Sequence, residues 1–165
     1  MDAPQTALWG PALWRFLHSM AERTIVPTAG RNQVFIDGEI KRCWINIINI
    51  IGRTMPCPRC RQHFNSYKTG HPYMEILNNT TDRRERLRTW LWQFHTHVRA
   101  EKGQSADVSK EALQEMYAQY LDSQYMSDKQ IMTDHLRRGM FQRWLMRDDM
   151  VQFLRSMDEL WRVGR

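Results

Sequence analysis

Two cysteines three positions apart, in Met55-Pro56-Cys57-Pro58-Arg59-Cys60, are the only paired sulfur chemistry in the chain. A C-x-x-C step can close a small disulfide ring at a helix N-terminus. There the partial positive charge of free N–H groups favours a thiolate, so the two sulfurs can form a redox couple. Pro58 suits that placement, because proline is tolerated in the first helical turn. Cys57 then falls near the N-cap and Cys60 one turn in, on the same face. The same spacing is also half of a structural zinc site, which needs four ligands. His63 and His71 would complete a Cys-Cys-His-His set, and Cys43 lies upstream on an apolar run. The cysteines alone leave both chemistries open.

The rest of the chain must position this pair. Its 165 residues make one ordinary domain, or a domain with an appendage. Seven tryptophans and eleven methionines are many for that length. Tryptophan in a small helical protein is core material and also the usual wall of a flat aromatic site. The net charge of +6 permits a phosphate-bearing ligand, an acidic partner or nucleic acid, and selects none of them. No stretch has membrane-spanning length and no cleavable signal is evident. Three cysteines are too few for a secreted disulfide scaffold, and an odd count leaves one unpaired. The expectation is an intracellular, cytoplasmic protein in which C-x-x-C is catalytic or metal-binding.

Apolar spacing predicts an all-α chain. Helices are expected over Thr6 to Arg23, Asn32 to Arg53, Pro58 to Tyr67, a short turn at Tyr73 to Leu77, and Asp82 to Lys102. Pro27 to Gly30 is read as a break and Gly103 as a helix end. Two further helices are expected, Val108 to Tyr125 and Ser127 to Trp161, the second capped by Ser127-Asp128 and divided near Asp148-Asp149. Leu113, Met116, Tyr117, Tyr120 and Leu121 are assigned inward. Isoleucines on more than one side of the second helix suggest a central helix or one shared with a second subunit. Cys43 reads as a small buried hydrophobe. Residues 1–103 form the expected four-helix-bundle core with a short fifth helix, and 104–165 a helical extension packing on the core or on a second subunit. Trp14 and His18 stand one turn apart on one stripe, which by spacing alone is a core tryptophan beside a hydrogen-bonded histidine.

Three stretches together resemble a known family. Trp9-Gly10-Pro11-Ala12-Leu13-Trp14-Arg15-Phe16-Leu17-His18 is similar to the opening of the Erv/ALR family of FAD-linked sulfhydryl oxidases. Pro56-Cys57-Pro58-Arg59-Cys60, followed by Phe64, resembles the family's redox segment. Trp90 to Arg99 resembles its later W-x-x-x-x-H-N-x-V-N helix. The order matches, over about Leu8 to Gly103, and the compact single-pair form resembles members encoded by large DNA viruses. Thr96 and Arg99 stand where the family has asparagines. The positions of a second family disulfide hold Trp92 and the segment Lys68-Thr69, so packing must replace it.

What the resemblance implies is a thiol oxidase. FAD would sit in the bundle with its ring against Cys57 and Cys60. Gly10, Trp14 and His18 on the first helix, and His95, Thr96, Val98 and Arg99 on the later one, would line its site. A substrate thiolate would attack Cys57, expected to be the accessible sulfur, and free Cys60 as a thiolate. Two electrons would pass from Cys60 to FAD and then to oxygen, giving hydrogen peroxide. A helix terminus favours an exposed thiolate by only about 0.3–1 kcal/mol, so Arg59 or Arg61 would share that task. Implied partners are protein thiols, a small thioredoxin- or glutaredoxin-like carrier, and a second copy in a homodimer.

Three other readings compete. A zinc module on Cys57, Cys60, His63 and His71 explains the sulfur spacing but not the Trp14/His18 stripe. Nucleic-acid binding would rest on Arg83, Arg84, Arg86 and Arg88, a run expected to be a solvated helix face. A thioredoxin-like fold needs strands that this sequence does not offer.

Overall fold

The computed structural model describes residues 6–24, 32–105 and 108–163. Within them the chain is eight helices and no strand: α1 Thr6–Arg23, α2 Gln33–Thr54, α3 Pro58–Gly70, α4 Met74–Asn78, α5 Arg83–Glu101, α6 Lys110–Tyr117, α7 Asp122–Phe141 and α8 Arg147–Val163. The all-α expectation holds, and α1 through α5 fall close to their predicted bounds. The expected break at Pro27 to Gly30 lies outside the described residues.

α2 is the central element. Ile40, Cys43, Trp44, Ile47, Ile48, Ile50 and Ile51 are all buried, so it is apolar around most of its circumference. α3 and α4 cover one side and α8 another. α8 contributes Phe153, Met157, Leu160 and Trp161 to the same continuous core. The surplus of isoleucine is therefore accommodated inside one chain.

α5 and α7 both run antiparallel to α1. Arg88 on α5 pairs with Glu22, while His95 reaches His18. On α7, Asp128 takes a forked hydrogen bond from Arg15, and His135 stacks on Trp9. Gly52 lets α3 approach α2 closely, since a Cβ there would stand 3.1 Å from the Phe64 ring. α3 is then tied to α5 without a disulfide. The Tyr67 hydroxyl donates to the Trp90 carbonyl at 3.2 Å, and Trp90 Nε1 donates to the His71 carbonyl at 2.8 Å.

The second half departs from expectation in three places. The predicted Val108 to Tyr125 helix is broken after α6, because the chain must turn there to lay α7 along α1. Met116 and Leu121, expected inward, are exposed, whereas Leu113 and Tyr120 are buried. Ser127-Asp128 does not cap a helix. α7 has already started at Asp122, where Gln124 reaches back to accept the Leu121 N–H at 2.7 Å. Asp128 is instead buried between Arg15 and the Tyr120 hydroxyl. The division of the last stretch falls at residues 142–146, ahead of Asp148-Asp149.

The basic run at the start of α5 is also not a uniformly solvated face. Arg83 is fully buried on Asp37, at 2.6 Å, and Arg88 is buried on Glu22 and Glu85. Half of the proposed nucleic-acid contacts are thus internal ion pairs.

Candidate functional site

α2 ends at Thr54, and Met55-Pro56 carries the chain in extended conformation to Cys57. Cys57 is the N-cap of α3, with Pro58 in the first turn. Its sulfur accepts the backbone N–H of Cys60 at 3.2 Å, so it occupies the place of a capping oxygen. Cys57, Cys60 and Cys43 are all free thiols. The two sulfurs of the pair differ electronically. The Cys57 thiol is held below its ordinary value, first by a hydrogen bond from the Cys60 thiol and then by the Cys60 N–H, with Arg59 adding charge. Burial first, and donation to Cys57 second, push Cys60 up to about 11. As whole residues Cys60 is exposed and Cys57 half-buried, while burial weighs first on the Cys60 thiol and only third on the Cys57 thiol.

Cys43 fits its assignment. It is buried in the α2 core, and burial pushes its thiol up to about 11, so it is inert at neutral pH.

A second cluster joins α1 to α5. Trp14 stacks on His95 with ring centroids 3.9 Å apart and planes 9° from parallel. Trp14 also meets Phe94 at 5.2 Å and His18 at 5.7 Å. His18 Nε2 and His95 Nδ1 lie 3.4 Å apart, a hydrogen bond in which one ring donates. Burial, and then the neighbouring His95, push His18 down to about 3, so its imidazole is neutral at physiological pH. Tyr117 of α6 stacks on His18 at 5.0 Å and closes the cluster from a third helix. Each stacked pair adds about 0.5–1.5 kcal/mol beyond its buried area.

The two parts are adjacent along the bundle. His63, one turn beyond Cys60, hydrogen-bonds Glu101 at 2.7 Å and ties the start of α3 to the end of α5. His95 lies six residues back along α5, about 9 Å at helical rise.

Of the sequence-nominated residues, Trp14, His18 and His95 come into direct contact. Gly10 is one turn before Trp14 on α1, on the same side. Thr96 is half-buried, and Val98 packs against the core. Arg99 donates through Nε to the Ser105 carbonyl at 2.6 Å. Tyr117 and Phe94 were not nominated. Both had been assigned only to apolar stripes, and the i, i+3 and i, i+4 spacing within one helix carries no signal for a stack between helices.

The stack constrains what the site can hold. A ring cannot slip between Trp14 and His95 at 3.9 Å. Trp14, His95 and Thr96 are all half-buried, so only the outer edge of the stack is open to a ligand. An imidazole such as His95, with ring nitrogens that donate or accept hydrogen bonds, suits a nitrogenous ring system such as FAD. Two surface clefts, about 740 Å³ between α2 and α8 and about 430 Å³ beside α7 and α8, lie elsewhere. Neither is lined by Cys57, Cys60, Trp14, His18 or His95.

The zinc set is not assembled. His63 is engaged by Glu101, while His71 turns back to the Tyr67 carbonyl at the far end of α3, about 16 Å along the helix from Cys60. Among the described residues no three metal-ligating side chains converge. No helix of the described residues is long and apolar enough to cross a membrane.

Comparison with known proteins agrees with this geometry. A model of the Erv1/Alr family matches residues 11–121. Curated relatives named FAD-linked sulfhydryl oxidase, from African swine fever virus, are similar to the chain. A warthog isolate from Namibia is 33% identical over 90 residues and a pig isolate from Kenya 36% over 90. Each match covers 54% of this chain and 64% of the relative, so the chain spans less than two thirds of their length. No solved structure matches.

Proposed function

Because the chain belongs to the Erv1/Alr family, we propose that it is an FAD-linked sulfhydryl oxidase that forms disulfides in protein thiols. The observation that carries this reading is the placement of the pair, with Cys57 as the N-cap of α3 and its sulfur accepting the Cys60 N–H at 3.2 Å. A lowered thiol at Cys57 and a raised one at Cys60 stand one turn apart at a helix N-terminus. That is the arrangement of an attacking sulfur and a retained partner.

In the oxidised pair, a substrate thiolate attacks Cys57 Sγ. The Cys57–Cys60 bond breaks, and Cys60 leaves as a thiolate. Donation to the Cys57 sulfur, one cause of the high Cys60 value, is absent in the mixed disulfide, which eases that departure. A second substrate thiolate attacks the substrate sulfur, and a substrate disulfide leaves with Cys57 as the thiolate. Each cycle removes two electrons and two protons from two thiols, and oxygen takes both to give hydrogen peroxide. The Cys57 and Cys60 sulfurs then rejoin as the disulfide, giving up two electrons and two protons, and bound flavin would supply the acceptor for that electron pair and the reaction with oxygen. Trp14 and His95 would provide its wall, neutral His18 would orient His95, and Gly10, Thr96, Val98 and Arg99 would complete the lining.

Residues 1–103 act as the redox core, with 104–165 as a helical buttress. The natural substrate is a protein thiol, with a small thioredoxin- or glutaredoxin-like carrier as the expected form, in the cytoplasm. A homodimer rests on family likeness alone, because α8 already covers the isoleucine face of α2.

Aerobic turnover with a reduced protein tests this reading. One peroxide per two thiols consumed is expected, lost in Cys57→Ser and retained in Cys43→Ser. Thiol loss without peroxide, or full turnover in Cys57→Ser, would overturn it.

A further inference from the structure

The strongest unassigned feature is a clamp on the last carbonyl of α2. The Thr54 carbonyl is one of four at that helix end with no intrahelical donor. His135 of α7 supplies one, with Nε2 donating at 2.7 Å. The His135 ring is buried between two tryptophans. Trp9 of α1 stacks on it at 4.3 Å and 16°, and Trp144 leans on it at 5.3 Å.

Trp144 is brought there by the way α7 ends. Arg143 takes a left-handed φ of 61°, its N–H bonds the Met140 carbonyl at 3.1 Å, and the Trp144 N–H bonds the Gly139 carbonyl at 3.0 Å. This is the helix-ending pattern usually built on glycine. The reversal folds the Trp144 indole over Gly139, where a Cβ would stand 2.6 Å from it. Four chain segments thus converge on one carbonyl three residues before Cys57.

We propose that His135 is a positioning residue for the Cys57–Cys60 pair. By holding the Thr54 carbonyl it fixes how α2 hands the chain to Met55-Pro56, and so how α3 presents both sulfurs. The inference rests on the redox reading of the pair. It gives the C-terminal helices a part in the reaction without contact to any reactant. A barrel of packing alone would have needed only an apolar ring between the tryptophans. A donor aimed at that carbonyl serves the geometry of the exit.

The test compares His135→Gln, which keeps an amide donor, with His135→Leu, which keeps volume but not the donor. The readouts are the dithiol–disulfide equilibrium of the pair in glutathione buffers and the pH dependence of Cys57 alkylation. Helical content and unfolding midpoint report folding. Gln is expected to stay within about twofold of the parent equilibrium, while Leu shifts it by about tenfold and moves the alkylation midpoint. If Leu does not fold, His135→Asn, whose shorter amide cannot span the 2.7 Å contact to the Thr54 carbonyl, decides by the same readouts. A folded Leu variant with the parent equilibrium, or Gln and Leu shifted alike, would overturn the proposal. So would an unshifted His135→Asn where Leu does not fold. These readouts need no flavin. Failure of peroxide production would sink the oxidase reading while leaving the clamp judged on its own result.

Discussion

The backbone N–H of Cys60 donates to the sulfur of Cys57 at 3.2 Å, and that bond, after the one from the Cys60 thiol, holds the Cys57 thiol below its ordinary value. A capped sulfur at a helix N-terminus carries negative charge more readily, while its partner one turn in is pushed up to about 11. In the reduced protein near pH 8, alkylation is therefore expected at Cys57 well before Cys60, by at least tenfold. Mass-spectrometric mapping of a short iodoacetamide pulse checks it. Preferential labelling of Cys60 would reverse the assigned roles.

The aromatic wall predicts a graded loss of cofactor. Trp14→Ala removes the stacking partner of His95 and is expected to weaken FAD binding by roughly tenfold or more, about 1.4 kcal/mol per factor of ten. Trp14→Phe should lose less. Tyr117→Ala, which uncovers His18, should also weaken binding, although Tyr117 lies outside the family-like motifs. Fluorescence titration of the apoprotein with FAD measures all three. Equal affinity in Trp14→Ala would remove the wall from the site.

Acid should destabilise the fold through two buried imidazoles. His18 is pushed down to about 3 and His135 to about 4, in each case chiefly by burial. Below pH 6.5 the unfolded chain binds protons that the folded chain refuses, so stability falls as pH falls. The contribution is complete above pH 6.5 and is lost as pH drops through 4 and then 3. At about 1.4 kcal/mol per unit of displacement, the total is several kcal/mol. Urea midpoints at pH 7, 5.5 and 4.5 should decline steadily, and more shallowly in His135→Gln.

Arg88 is a structural cation. Arg88→Met leaves Glu22 buried without its forked partner and should cost about 3–5 kcal/mol. Arg84→Ala, four positions earlier and exposed, should change stability by under about 0.5 kcal/mol. Urea unfolding of the two variants separates them.

The contrast between two helix ends shows what the sequence could and could not disclose. α5 stops at Gly103, whose φ of +69° is read directly from the glycine, and that end was anticipated. α7 stops with the same backbone pattern, but Arg143 holds the left-handed position, and nothing in its residue type announces a turn. The placement of Cys57 and Cys60 at the start of α3 was legible because Cys-Pro-x-Cys is local: cap, proline and spacing lie within four residues. Trp14, His18 and His95 were legible only together, through resemblance, since their contact joins helices far apart in sequence. Asp128 was misread as a cap because its partners, Arg15 and Tyr120, are set by how α7 lies on α1. Arg83 and Arg88 were misread for the same reason, since burial by α1 and α2 is tertiary information. The His135 clamp left no local trace.

The most direct measurement is the visible absorption spectrum of the purified protein, taken before and after adding a dithiol and again after readmitting air. Flavin bands that bleach with dithiol, recover in air and leave peroxide are the predicted result, with bleaching absent in Cys60→Ser. A protein that stays colourless after incubation with FAD, or whose bound flavin ignores the dithiol, would contradict the assignment of Cys57 and Cys60 as an oxidase pair.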